Sequence, residues 1–163
     1  MTKRIVVGID PGQTGGIAII NESFELIDCF VMPILKVDGK SKVDAGVLYN
    51  KLSGYYIDLA ILEKVGARPG QGVVSMFSFG ESYGCARAVL ECLGVPCRLE
   101  RPQAWRGGQS LTGLSKEQIA EVAHNVFGAT QIYGRKNKYG NRSVRDGISD
   151  ALMIAKYGVR FLD

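Results

Sequence analysis

The apolar positions of the chain fall into runs of two different periods. Ile5-Val6-Val7-Gly8-Ile9 is apolar on both faces and stops at a single carboxylate, Asp10. Such a run predicts a buried central strand rather than an edge. Pro11-Gly12-Gln13-Thr14-Gly15 is a turn, and Gly16 to Ile20 starts a second β-branched run, so the two read as a hairpin. Phe24 to Met32 reads as a third strand, ended by Pro33. Ile57 to Glu63 repeats the first design, an apolar strand delivering one acid at its C-terminal end, and Val95 to Glu100 is a short fifth strand. Helical spacing predicts helices over 43–52, 73–93, 115–127 and from 145 to about 160. Gly54 stops the first, and Ser115 with Gln118 forms a capping box that opens the third. Segments 36–42, 101–106 and 131–145 read as connections or loops. Three strands followed by alternating helices and strands predict an α/β domain with an antiparallel opening and parallel strands after each crossover helix.

Composition narrows this picture. A chain of 163 residues, 46% hydrophobic, suits one domain over residues 1–163, without repeat or linker. No apolar run is long enough for a transmembrane helix. Met1-Thr2-Lys3-Arg4 leads straight into a strand with no small-residue cleavage site, so no signal peptide is expected. Cys29, Cys85, Cys92 and Cys97 form no CxxC pair, and the lone His124 completes no zinc pattern with them. They predict buried, reduced thiols and a cytoplasmic location.

The net charge of +4 says little, but its distribution says more. Between Gln131 and Arg145 stand Arg135, Lys136, Lys138, Arg142 and Arg145, with no acid. This is either a solvated loop or a mobile arm for phosphate, whose neutralisation releases counterions. Gly66 to Gly72 is rich in glycine but lacks both the P-loop Gly-Lys-Ser/Thr and the dinucleotide fingerprint.

The acids hold the candidate chemistry. Asp10 inside an apolar run costs desolvation, so it either opens the turn by an Asx-type bond or serves a charge-dependent role. Asp146 and Asp150 are four apart, on one helix face, away from the stripe of Ile148, Ala151, Leu152, Ala155 and Val159. Like charges at this spacing weaken a helix. Ser143 with Asp146 fits a capping box, which offers Asp146 a structural reason; Asp150 has no equally good one. If the strands ending at Asp10 and Glu63 are neighbours and the last helix packs on them, four carboxylates converge. Each then raises the pKa of the others, and hard divalent ions such as Mg2+ or Mn2+ relieve the conflict. Two such ions about 4 Å apart can activate water and stabilise the departing oxygen of a phosphodiester.

Gly8-Ile9-Asp10-Pro11-Gly12, the strand ending at Glu63, and Asp146-Gly147-Ile148-Ser149-Asp150-Ala151-Leu152 together resemble RuvC-type Holliday junction resolvases, of the RNase H-like nuclease superfamily. The segment from Gly66 to Gly84 looks most like the phage-encoded branch. The resemblance implies a mixed five-stranded sheet with three antiparallel N-terminal strands and helices on both faces. It implies a homodimer cutting opposed strands of a four-way DNA junction symmetrically, with Asp10, Glu63, Asp146 and Asp150 holding two Mg2+ or Mn2+ ions. Lys116 and Arg106 match, or stand near, family lysines that hold the DNA backbone, and Phe77 is a loose counterpart of its junction-centre aromatic. With the basic segment, the expected DNA contacts are Phe77, Arg106, Lys116, Arg135, Lys136, Lys138 and Arg142. One departure touches Asp146: cellular members have the two late aspartates three residues apart, and here they are four apart. The rivals are an RNase H-like nuclease acting on flaps or RNA–DNA hybrids and a DNA-binding protein without catalysis. An actin-like ATPase also shares the first loop, but needs two such domains.

Overall fold

Five strands form one mixed sheet in the order β3-β2-β1-β6-β7, in a computed structural model that describes residues 2–163. They are β1 (Ile5–Asp10), β2 (Gly16–Asn21), β3 (Leu26–Val31), β6 (Leu59–Glu63) and β7 (Cys97–Glu100). β1 is central, antiparallel to β2 and parallel to β6; β2 and β3 pair antiparallel, and β6 and β7 parallel. This is the expected RNase H-like sheet.

Both faces are covered, which is why β1 and β2 are apolar throughout. One face packs under α1 (Ala45–Ser53) and α2 (Val73–Cys92), with Val7, Ile9, Ile17, Ile19, Leu48 and Leu90 in its core. The other packs under α4 (Lys116–Phe127) and α5 (Asp146–Gly158), with Val6, Ile20, Ile61, Trp105, Ile119 and Leu152. Side chains alternate along a strand. Val6 and Ile61 face α5, so Asp10 and Glu63, each an even number of residues further on, point to that same side. The β1–β6 register runs to Ile9 opposite Leu62, and one further step sets Asp10 beside Glu63.

The fit of α5 on the sheet depends on glycine. A Cβ on Gly8 would be driven into the backbone of Ala151 and Ala155, and one on Gly147 into the backbone of Thr14 and Gly15. Gly15 and Gly147 form a bridge of their own. Backbone therefore meets backbone where helix and hairpin touch, and the start of α5 is drawn onto the end of β1.

Several segments differ from expectation. Residues 36–42 are not a simple connection but most of a hairpin of β4 (Ile34–Val37) and β5 (Lys40–Val43). Its turn, Asp38-Gly39, has positive φ at both residues (50° and 74°), the primed-turn geometry that favours Asp-Gly. Segment 101–106 is a short helix, α3 (Pro102–Gly107), started by a proline whose missing N–H costs nothing there. The basic segment is a second hairpin, β8 (Tyr133–Lys136) and β9 (Arg142–Val144), not an arm without structure. Ser143 lies in β9, so the Ser143–Asp146 capping box does not form; Arg145 is the N-cap of α5, with no side-chain cap bond. The Ser115–Gln118 box on α4 does form. The last helix ends at Gly158 and continues as a single 3-10 turn, Val159–Phe161. All four cysteines are free, but only Cys29 is buried; Cys92 and Cys97 are exposed. Among the described residues no helix is long and apolar enough to cross a membrane.

Candidate active site

Four carboxylates gather where β1, β6 and α5 end or begin. Asp10 closes β1. The only hydrogen bond its side chain receives among the described residues is a long one, 3.5 Å from the Gly12 amide, so the turn does little to stabilise its charge. Burial first, and then repulsion from Glu63, Asp150 and Asp146, push its pKa up to about 7. Glu63 closes β6 and accepts a 2.7 Å hydrogen bond from Trp105 Nε1. Burial raises its pKa, against the pull of Trp105, Arg106 and Arg68. Asp150, one turn into α5, keeps 15% of its side chain exposed. Burial is the main cause that lifts it to about 6, with Arg106 opposing and Glu63 and Asp146 adding. Asp146, at the first position of α5, is more exposed and pairs with Lys116 Nζ at 2.8 Å. Its place at a helix N-terminus suits a negative charge.

Arg106 Nη2 lies 3.6 Å from Asp150, and its buried Nε has no hydrogen-bond partner among the described residues. Arg106 and Lys116, expected as DNA contacts, thus sit against the acids themselves. Among the described residues, Asp10 has no such cation. An all-oxygen donor set, with two carboxyls lifted to about 6 and 7, fits a hard divalent ion that would discharge it. No group of three acids among the described residues forms a ready-made cage for one ion. Mg2+ commonly takes one or two carboxylates and completes its shell with water or phosphate oxygens, so the donor set still suits it.

Trp105 escaped the sequence reading. It is fully buried, and a buried indole N–H needs an acceptor. Glu63, forty-two residues earlier in the chain, supplies it. Gln109 then ties α3 to α5, its Nε2 donating to the carbonyls of Trp105 (2.9 Å) and Met153 (2.8 Å). The one signal in the sequence was that Trp105 is the only tryptophan.

Beside Glu63 opens a cavity of about 680 Å3, whose lining includes Lys64, Arg68 and Arg101. None of the three was singled out from the sequence. Phe77 is not among the acids: it stands 78% exposed on α2, next to exposed Val73 and Val74. Arg135, Lys136 and Arg142 are exposed on the second hairpin and Lys138 in its turn; among the described residues none of the four pairs with an acid.

A sheet of this order, with helices on both faces, is the RNase H-like fold. Solved structures agree. RuvC of T. thermophilus in complex with a Holliday junction substrate superposes with a TM-score of 0.66 at 17% identity, over 98% of this chain and 96% of that one. Another T. thermophilus RuvC structure gives 0.56 at 16%, covering 96% of each chain. The yeast mitochondrial Holliday junction resolvase gives 0.54 at 15%, over 96% of this chain and 78% of that one. At such identities the likeness is one of fold. No family profile and no curated protein matches the sequence.

Proposed function

We propose that the chain is a metal-dependent, structure-selective endodeoxyribonuclease that resolves four-way DNA junctions by paired hydrolysis of opposed strands. The observation behind this reading is the meeting of Asp10, Glu63, Asp146 and Asp150 on a fold shared with a resolvase bound to its junction. Asp10, Glu63 and Asp150 would hold two Mg2+ ions, or Mn2+ in their place, with Asp146 as the outer member. When bound, such ions supply an activated water and a counter-charge for the departing oxygen.

The chain's own residues do the rest. Trp105 holds the Glu63 carboxylate in one orientation by its 2.7 Å bond. Arg106 and Lys116, which neutralise Asp150 and Asp146, become free to meet phosphate once those charges are otherwise balanced. The basic hairpin and the Arg68–Arg101 cavity flank the acids with positive charge, which steers a polyanion to them. Paired cuts require two sites, hence a homodimer, and the exposed Val73, Val74 and Phe77 on α2 offer an apolar surface for it. The glycine-rich stretch from Gly66 into α2 is what favours a phage-type member.

The test compares a synthetic four-way junction with a flap, a linear duplex and an RNA–DNA hybrid, in Mg2+ or Mn2+, with each strand labelled in turn. Paired symmetric nicks on the junction alone are expected. Glu63→Gln and Asp150→Asn should bind the junction but not cut it. Equal cutting of flaps and hybrids would leave a nuclease without junction selectivity.

A further inference from the structure

Outside the acid cluster stands an aromatic side chain that neither hydrophobic core uses. Tyr139 sits at the tip of the β8–β9 hairpin with 74% of its surface exposed. The tip is a built turn. Asn137 Oδ1 accepts from the Tyr139 amide (2.9 Å) and the Asn141 amide (3.0 Å). The Asn137 amide donates to the Asn141 carbonyl and the Gly140 amide to the Asn137 carbonyl. Gly140 takes the left-handed φ of 81° that closes such a loop. The base of the hairpin is anchored too: the Arg145 amide donates to the buried Ile132 carbonyl at 2.7 Å, and Tyr133 packs edge-on against His124. The ring is therefore presented outward by a preorganised support.

Its surroundings select the partner. Arg135, Lys136, Lys138 and Arg142 stand on the same hairpin with no acid between Gln131 and Arg145, and Lys138 Nζ lies 4.8 Å from the ring centre. A flat apolar face among unpaired cations matches a nucleic-acid strand, whose phosphates meet the cations while a base meets the ring. Tyr139 and Asp146 are seven positions apart in the chain, at most about 25 Å when extended, or roughly seven base-pair steps. A contrast lies within the molecule. Tyr56 is 97% exposed, yet it stands between Tyr55 and Ile57 with Asp58 near, and the cations that share its cleft, Lys3 and Arg4, are paired with Glu25 and Glu22.

We infer that Tyr139 is a stacking residue for an unpaired DNA base near the cut site, so that the hairpin distinguishes branched or opened DNA from intact duplex. Its placement near the cut site rests on the nuclease reading; the stacking itself does not. Stacking on an exposed base is sequence-tolerant and requires the base to be out of a duplex.

The experiment measures affinity of the full chain, without divalent metal so that nothing is cut, for a four-way junction, a 20-nucleotide single strand and a blunt duplex. Tyr139→Ala should weaken single-strand and junction binding roughly tenfold and duplex binding less than about twofold, with the salt slope unchanged. Tyr139→Phe should restore binding, and Tyr56→Ala should change nothing. Equal loss on all three DNAs, or loss on none, overturns the inference. The two readings fail separately. A chain that cuts nothing but loses single-strand affinity on Tyr139→Ala keeps the stacking residue and discards the nuclease. One that resolves junctions yet ignores Tyr139→Ala does the reverse.

Discussion

Replacing Asp10 by asparagine is expected to stabilise the metal-free protein at alkaline pH while removing cleavage. On folding, the Asp10 carboxyl moves from a pKa of 3.8 to about 7, through burial first and then through Glu63 and Asp150. Between those values the folded state binds more protons than the unfolded one. Stability is then fully present below pH 3.8 and is lost as pH rises through 7. At about 1.4 kcal/mol per pH unit the whole loss is about 4 kcal/mol. Asparagine keeps the shape and an oxygen toward the Gly12 amide but removes the charge that faces Glu63 and Asp150. The assay is urea unfolding of both proteins in a metal chelator from pH 4.5 to 8. The stability difference in favour of Asp10→Asn should widen by about 3 kcal/mol over that range. Mg2+ added at pH 8 should stabilise the wild type and not the variant. A difference independent of pH, or one that narrows, would refute the claim that Asp10 is held in a repulsive, desolvated place.

Three further outcomes follow from individual contacts. Trp105→Phe removes a hydrogen bond to a carboxylate, worth about 1.5–3 kcal/mol, and should raise the Mg2+ needed for half-maximal cleavage roughly tenfold with junction affinity unchanged; an unaltered metal titration would show that the indole does not hold Glu63. Gly8→Ala drives a methyl into the Ala151 carbonyl, backbone against backbone, and should cost about 3 kcal/mol; an unfolding midpoint like that of the wild type would mean α5 approaches β1 less closely than described. Lys136→Ala with Lys138→Ala should reduce the slope of log affinity against log salt by about 2 on every DNA tested; an unchanged slope would make the hairpin's charges merely solvated.

The sequence by itself determined the central strand and the ends at which two acids stand. An apolar run that needs cover on both faces can only be a central strand, and each such run delivers its acid, Asp10 or Glu63, at its C-terminal end. Ser115 and Gln118 declared their helix start because both partners of a capping box lie within four residues. What remained hidden involves partners far apart in the chain. The Trp105–Glu63 bond joins residues forty-two apart, and α3, which positions the indole, is too short to show a helical period. Ser143 and Asp146 have capping-box spacing, yet pairing of β8 with β9 took Ser143 into a strand. The turn signal Asp38-Gly39 was present, but the charged residues around it hid the alternation of an exposed hairpin. The gathering of the acids was a conditional statement until the glycines at 8, 16 and 147 let α5 rest directly on β1 and β2. Only the tertiary structure decides that approach, because a missing side chain has no pattern along the chain and acts only through the backbone it lets come near.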